Sequence, residues 1–299
     1  MTHYSVLLNE TIESLDVKKD GIYVDATLGG GGHSEAILSL LKDGHLYGFD
    51  QDEFAINLAK DRLKRFDNFT AINQNFEFIY ESLIERGIHE IDGIIMDLGM
   101  SSFQIDDKDR GFSYMQDARL DMRMDKHQKK SAYDIVNYAS LDELTYIFRV
   151  YGEEDFARPI AKKIVETRPL ETTFDLVKIT DQFKYKQRSH SAKQVFQALR
   201  IAVNDELGVL ERTLPKLIKL LKKDGVISVI TFHSLEDRII KHFFKTNSEN
   251  QIPKGLIVMN QAAPLLRLYN RKPILPSEQE LKENSRSLSA KLRAAIKNV

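Results

Sequence analysis

The sequence predicts an α/β protein in which a parallel sheet is interrupted by an inserted block of helices. Short apolar runs alternate with stretches of helical periodicity before residue 107 and again after residue 206, as expected for strands joined by helices. Between them, apolar residues keep a helical spacing and no convincing strand is found. We therefore predict a sheet domain whose first part is 1–106, an inserted helical domain at 107–206, and a second part of the sheet domain at 207–299.

The elements of the sheet domain follow one another in a regular order. A helical face in the first 20 residues leads to the first strand. Strands are predicted at 22–26, 45–50, 69–73 and 93–97, and helices follow the first three at about 34–42, 54–63 and 78–84. The second part contains helices at about 206–223 and 235–244 and strands at 226–231 and 256–259. Residues 290–296 fit either a last strand or a terminal helix. Alternation at this spacing favours helices on both faces of a parallel sheet.

The composition limits both the class of protein and its chemistry. Of the 299 residues, 42% are hydrophobic and 29% charged, which is typical of a soluble globular protein with a sizeable core. No apolar run reaches the roughly 18 residues of a membrane span, and the first residues lack a secretory pattern, so we expect a cytoplasmic protein without membrane contact. The absence of cysteine excludes disulfides, thiolate-bound metals and a thiol nucleophile.

Basic residues are concentrated in two segments, although the net charge is only −1. The segment 184–200 contains no acidic residue and five basic ones, Lys184, Lys186, Arg188, Lys193 and Arg200. The segment 267–297 holds eight basic residues against three acidic ones. Such patches can hold phosphate groups while the whole molecule stays nearly neutral, but charge runs are as often solvated faces.

The predicted strand ends carry the residues that a ligand would meet, because α/β sheets bind ligands beyond the carboxyl ends of their strands. The first strand leads into four consecutive glycines at 29–32, which allow positive φ and a close approach to a small polar ligand. Asp50 ends the second strand about 20 residues later, where an acid can bind ribose hydroxyls. Phe76 follows the third strand beside a possible adenine, and Asp97 ends the fourth.

These strand ends favour S-adenosylmethionine over a dinucleotide. The dinucleotide-binding motif G-x-G-x-x-G needs a third glycine where the helix packs closely on the strand. Counted from Gly29 and Gly31, this position is occupied by Ser34. A sulfonium cation suits carboxylates such as Asp97. Asp50 could instead be a helix N-cap, and Phe76 a core residue. Two other functions stay open: an NAD-type dinucleotide-dependent oxidoreductase, and a non-enzymatic RNA-binding assembly factor that inherited the fold.

Six motifs in order resemble those of the ribosomal RNA small subunit methyltransferase H family. They are TLGGGGHS at 27–34, DLGMSS at 97–102, RGFSY at 110–114, DMRMD at 121–125, FQALRIAVNDEL at 196–207 and FHSLEDR at 232–238. The resemblance runs nearly end to end. Three positions depart from the family pattern: Phe103 and Ser285 stand where prolines are common, and Leu288 where an arginine is usual, so that one RNA contact is in doubt.

The resemblance implies a fold, an activity and a set of contacts. The fold is a class I (Rossmann-like) S-adenosylmethionine-dependent methyltransferase sheet with an inserted helical domain, here the expected RNA-recognition domain. The activity is N4-methylation of a cytidine in the decoding region of 16S rRNA, within the small ribosomal subunit or as free RNA. A homodimer is possible. No metal is implied, and the cofactor contacts correspond to Gly31, Gly32, His33, Asp50, Phe76, Asp97 and Gln104.

The missing thiol decides between two kinds of cytosine methylation. Methylation of C5 in the usual way needs a thiolate that adds to C6, whereas methylation of a nitrogen needs no covalent intermediate. Asp97 is the first candidate for accepting the amine protons or for positioning the cofactor. His233 could take up the released proton or contact phosphate, but it could equally be satisfied by Glu236 and Asp237 as a helix begins. The stacking aromatic is expected among Phe103, Tyr114 and Phe232.

Overall fold

Two compact units make up the chain, one formed by Met1–Gly99 with Val209–Val299 and the other by Met100–Gly208. The structure is a computed structural model that describes residues 5–99, 107–183, 190–249 and 263–299. The second unit spans the segment predicted as an insertion. Its assignment as an RNA-recognition domain with limits at 107 and 206 stays a prediction.

The first unit contains a sheet with seven strands in the described residues. The strands are β1 (Ile22–Asp25), β2 (His45–Asp50), β3 (Phe69–Asn73), β4 (Ile91–Asp97), β5 (Leu221–Thr231), β6 (Leu266–Leu268) and β7 (Lys291–Lys297). Their order is β3-β2-β1-β4-β5-β7-β6; β1 to β5 are parallel, and β7 and β6 are antiparallel to their neighbours. This sheet confirms the predicted Rossmann-like α/β fold class.

Helices cover both faces of the sheet, as expected for parallel strands such as β4 and β5 that are buried almost continuously. These helices are α1 (Leu8–Leu15), α2 (Gly32–Leu40), α3 (Glu53–Leu63), α4 (Ile79–Glu85), α10 (Glu206–Leu220) and α11 (Ser234–Ser248); a short α12 (Glu278–Glu283) precedes β7. The core on one face joins Val24, Ile94 and Ile227 to α4, α10 and α11. The core on the other face joins Tyr23, Leu46 and Ile95 to α1, α2 and α3.

In the described residues of the second unit, five α-helices surround a core of its own. They are α5 (Ala132–Tyr138), α6 (Leu141–Val150), α7 (Ala157–Thr167), α8 (Thr173–Thr180) and α9 (Lys193–Asn204). Leu144, Phe148, Ile160, Ile164 and Leu199 are fully buried in that core. Over 107–183 and 190–208 the only β-type pairing is the isolated bridge between Arg119 and Thr172.

Two details differ from the sequence prediction, and a third was left open by it. β5 begins at Leu221, directly after α10, and not at residue 226, because Leu221 already pairs with Ile91 before an irregularity in the register. Residues 291–297 form a strand and not a helix, pairing antiparallel with β5. β6 was not among the predicted strands. The strand predicted at 256–259 lies outside the described residues.

No helix in the described part of the chain is long and apolar enough to cross a membrane.

Candidate active site

The carboxyl edge of the sheet has its topological switch between β1 and β4. β1 pairs with β2 on one side and with β4 on the other, all in parallel. The connections therefore leave these two strands in opposite directions, and the residues beyond them border the crevice where such sheets bind ligands. Four carboxyl groups belong to this edge: Asp25, Asp50, Asp97 and Glu236.

Asp50 fixes the glycine loop between β1 and α2. The Gly29 N–H donates to Oδ2 of Asp50 over 2.9 Å, and the Asp52 N–H donates to Oδ1 over 2.9 Å. Gly29 has φ +49°, and the atom nearest to where a Cβ would lie is 3.8 Å away, so the turn is open at this point. Burial raises the pKa of Asp50, and although the two hydrogen bonds oppose this effect, the resulting pKa is about 6. Each carboxylate oxygen keeps a further lone pair for a ligand hydroxyl.

The N-cap of α3 is Asp52, whose side chain accepts the Phe54 N–H over 3.0 Å. The interpretation of Asp50 as that cap is therefore wrong.

Asp25 is a candidate site residue that the sequence analysis missed. Its side chain is 2% exposed and accepts the Ser34 hydroxyl over 2.7 Å and the Thr27 N–H over 3.1 Å. Oγ1 of Thr27 accepts the Asp97 N–H over 2.6 Å. Burial raises the pKa of Asp25 to about 6. Asp25 thus ties the two ends of the glycine loop together and, through Thr27, connects them to the end of β4.

Asp97 has a strongly perturbed carboxyl group. Burial raises its pKa to about 8, with smaller contributions from Asp25 and Glu236. Its side chain is 26% exposed, yet Oδ1 is buried and accepts no hydrogen bond from the described residues. A cation or an N–H donor against this group would favour its charged form.

His33 lies beside Asp97, with Nδ1 3.7 Å from Oδ2 of the acid. Its Nε2 is 3.0 Å from the carbonyl oxygen of Val6. The ring is 5% exposed, and burial lowers its pKa to about 4. His33 is therefore a neutral imidazole at neutral pH.

The remaining predicted cofactor contacts have mixed surroundings. Gly31 caps α2 with φ +75° and is buried, and a Cβ there would lie 3.2 Å from Leu63, so packing as well as ligand approach favours glycine. Gly32 begins α2. Phe76 opens a 3₁₀ turn after β3 and packs partly buried against the core of one sheet face. Gln104 lies outside the described residues.

His233 is the N-cap of α11 in a capping box with Glu236. Its Nδ1 accepts the Glu236 N–H over 3.4 Å, and the side chain of Glu236 accepts the His233 N–H over 3.3 Å. Nε2 lies 3.0 Å from Oε1 of Glu236. The structure therefore gives His233 the structural role that the sequence analysis set beside the catalytic one.

Two of the aromatic residues expected to stack on the base, Tyr114 and Phe232, lie in different units. Tyr114 stacks on His190, with ring centroids 4.4 Å apart, within the second unit. Phe232 lies in the first unit, partly buried beside a small core that includes Ile230. Phe103 and the basic residues Lys184, Lys186 and Arg188 lie outside the described residues.

Comparison with known proteins gives one family and close relatives. The MraW methylase family matches residues 1–298 of the chain. Ribosomal RNA small subunit methyltransferase H 1 of Acholeplasma laidlawii is 57% identical over 297 residues, covering 99% of both chains. Ribosomal RNA small subunit methyltransferase H of Streptococcus equi subsp. equi is 51% identical over 307 residues, covering 99% of this chain and 97% of its own.

Among solved structures, an rRNA methylase from Streptococcus thermophilus matches with 13% identity and a TM-score of 0.43, covering 98% of this chain and 94% of that one. The fold assignment rests on the strand order and not on this likeness. The family match and the two relatives confirm the resemblance found in the sequence, the prediction of a methyltransferase and, with it, of S-adenosylmethionine as methyl donor.

Proposed function

Because the chain belongs to the MraW methylase family, we propose that it transfers a methyl group from S-adenosylmethionine to the N4 amine of a cytidine in 16S rRNA. The observation that carries this proposal is the carboxyl edge of the sheet, where Asp50 holds the glycine loop and Asp97 is tied to the end of the same loop through Thr27. The names of its two relatives support a small-subunit rRNA substrate. An NAD-type oxidoreductase and a non-enzymatic assembly factor are disfavoured by the methylase family.

The residues at this edge fit the proposed methyl donor. The open turn at Gly29 leaves room for a ligand, and the carboxyl groups of Asp25 and Asp97 suit a cation. Asp50 would accept the ribose hydroxyls, Phe76 would contact the adenine, and Asp97 would lie near the reacting end. The loop residues Gly31, Gly32 and His33, together with Gln104, complete the proposed cofactor set. When bound, the donor supplies a methyl carbon made electrophilic by its sulfonium.

The target nitrogen needs help from the protein, because its lone pair is delocalised into the cytosine ring. The chain has no cysteine, so the usual covalent route to C5 is closed. With the donor bound, the N4 lone pair would take up the methyl group that the donor supplies, and the released proton would pass to Asp97 or to His233. Asp97 would accept a hydrogen bond from the amine or position the donor beside it, in surroundings with little water.

His233 stays a second candidate for the proton acceptor, in addition to its role as helix cap. The helical unit with the basic segment 184–200 is proposed to hold the RNA strand around an unstacked cytidine. A homodimer also stays a prediction, which sedimentation analysis would test.

Labelled methyl transfer tests the proposal on two substrates, free 16S rRNA and assembled small subunits, both from cells without this enzyme. We expect transfer to at least one of them, and their comparison defines the partner. Asp97→Asn should lower kcat/KM by about 10²-fold or more, whether Asp97 accepts a hydrogen bond from the amine or positions the donor beside it. Asp92→Asn is the matched control, since Asp92 is 8% exposed at the opposite end of β4 and holds the Ile22 N–H. Equal loss in both variants would contradict the role of Asp97.

A further inference from the structure

The tautomer of His33 follows from its partner at Nε2. A carbonyl oxygen only accepts hydrogen bonds, so the 3.0 Å contact with Val6 requires that Nε2 carries the hydrogen. Because the ring is neutral at neutral pH, Nδ1 then has a free lone pair. This lone pair lies 3.7 Å from Oδ2 of Asp97. The described residues provide no hydrogen bond to Nδ1. The pKa of Asp97 is raised to about 8, so a cation that displaces its proton would meet two acceptor atoms in the same space.

The peptide group between Val6 and Leu7, whose carbonyl fixes this tautomer, is held by a residue from the far end of the chain. The N–H of the same peptide group, on Leu7, donates to Oε1 of Glu280, on α12, over 2.9 Å. Leu7 has φ +50°, a conformation that costs an ordinary residue energy and needs support from its surroundings. Val6 and Leu7 are buried together with Ala290 and Leu292, which flank the start of β7.

We infer that Val6 and Glu280 are positioning residues of the methyl-donor site: they hold His33 so that Nδ1 and Asp97 together accept an N–H donor, the ammonium group of the donor's amino-acid end. This inference rests on the proposed function. It selects, of the two roles left open for Asp97, the one that positions the cofactor.

Charge favours the ammonium group over the cytosine amine as the occupant. Asp25 and Glu236 lie near enough to raise the pKa of Asp97, and Asp50 is in turn affected by Asp25. Such a concentration of carboxyl groups stabilises a cation. The ammonium group is charged and carries three N–H donors, whereas the cytosine amine is neutral and carries two.

The tautomer can be measured without any methyl transfer. In the full chain labelled with nitrogen-15 histidine, long-range proton–nitrogen spectra distinguish the two neutral tautomers, and His33→Asn identifies the His33 signal among the eight histidines. We expect the Nε2–H form at neutral pH in the wild type and in Glu280→Gln, which keeps an acceptor oxygen. Glu280→Ala should lose it in favour of a mixture. An Nδ1–H form in the wild type, or an unchanged signal in Glu280→Ala, would overturn the inference for Val6 or for Glu280.

The occupant is tested by calorimetry with S-adenosylhomocysteine and with its analogue lacking the amino group. The wild type should prefer the amine-bearing compound by about 10- to 100-fold, the range of hydrogen bonds that involve charged groups. In His33→Phe, which keeps a flat ring without an acceptor, this preference should shrink several-fold. The same preference in both proteins would overturn the ammonium assignment.

The two proposals fail in different ways. If neither compound binds the wild type, the proposed function itself fails. If both bind with equal affinity, only the assignment of the ammonium group to His33 and Asp97 fails.

Discussion

Asp50 shows how a single carboxylate can serve the fold and a ligand together. Its two oxygens accept the Gly29 and Asp52 N–H groups, which sets the shape of the glycine loop. The lone pairs that remain can accept ribose hydroxyls. Asp50 is only partly buried, and its raised pKa distinguishes it from an ordinary surface acid.

Asp50→Ala should weaken binding of S-adenosylhomocysteine by about 1.5–3 kcal/mol, the contribution of hydrogen bonds to a charged group. The chain should remain folded. Asp52→Ala is the control: it removes the N-cap of α3 and should cost about 1 kcal/mol of stability with little change in affinity. Calorimetric titration and thermal unfolding separate the two effects. Unchanged affinity in Asp50→Ala would contradict the ribose assignment.

The raised pKa of Asp97 predicts a pH dependence of stability. The folded chain keeps a proton on Asp97 up to about pH 8, whereas the unfolded chain releases it near pH 4, so stability falls as pH rises through this window. His33 has the opposite effect, because its lowered pKa favours folding as pH rises from about 4 to 6.5. Above that range, the change of stability with pH that Asp97 causes can be measured with little contribution from His33.

Between pH 6.5 and pH 8 the cofactor-free wild type should therefore lose up to about 2 kcal/mol of stability through Asp97. Asp97→Asn, which lacks the titrating group, should not show this loss. Urea unfolding at several pH values measures this difference. Parallel curves for the variant and the wild type over that range would show that the pKa of Asp97 is not raised in the folded protein.

At the residue scale, the sequence indicated some site residues and not others. Asp50 and Asp97 follow predicted strands, so their position at the carboxyl edge could be deduced from alternation alone. Asp25 ends an apolar strand just before the glycines, and only the fold shows that Ser34 and Thr27 bond to it. The bond between Leu7 and Glu280 joins residues 273 positions apart, which no local pattern can indicate.

At the scale of elements, α11 begins at the cap formed by His233. Asn is a strong N-cap and Ala a poor one, so His233→Asn should keep the stability of the wild type and His233→Ala should lose about 1 kcal/mol. Thermal unfolding measures this, and equal loss in both would contradict the capping role. Methyl transfer by the Asn variant then tests the proton role, since a rate about 10-fold lower at unchanged stability requires a function beyond the cap.

The elements that the sequence predicted well are those with strong periodicity. β1 to β4 and the helices between them have strictly local signals, and the observed bounds differ by only a few residues. β7 could not be distinguished from a helix because its identity depends on pairing with β5, whose partner residues lie 60 to 70 positions earlier. β6 is only three residues long, too short for a reliable alternation of apolar and polar residues.

At the scale of the whole molecule, the net charge is only −1, although the segment 184–200 carries five basic residues and no acidic one. Replacing Lys184, Lys186 and Arg188 by Ala should weaken RNA binding. It should also make the slope of log K against log[salt] less negative by up to about two to three, because fewer counterions are released. Filter binding at several salt concentrations measures this. Affinity for S-adenosylhomocysteine should not change, and a parallel loss of both affinities would indicate a folding defect.

The most direct test of the central claim is nucleoside mass spectrometry of 16S rRNA from cells with and without this protein. A thiol-free enzyme that binds a methyl donor across the carboxyl edge of its sheet should produce N4-methylcytidine in the cells that contain it, and Asp97→Asn should produce much less. An unchanged set of modified nucleosides, or 5-methylcytidine as the product, would contradict the account.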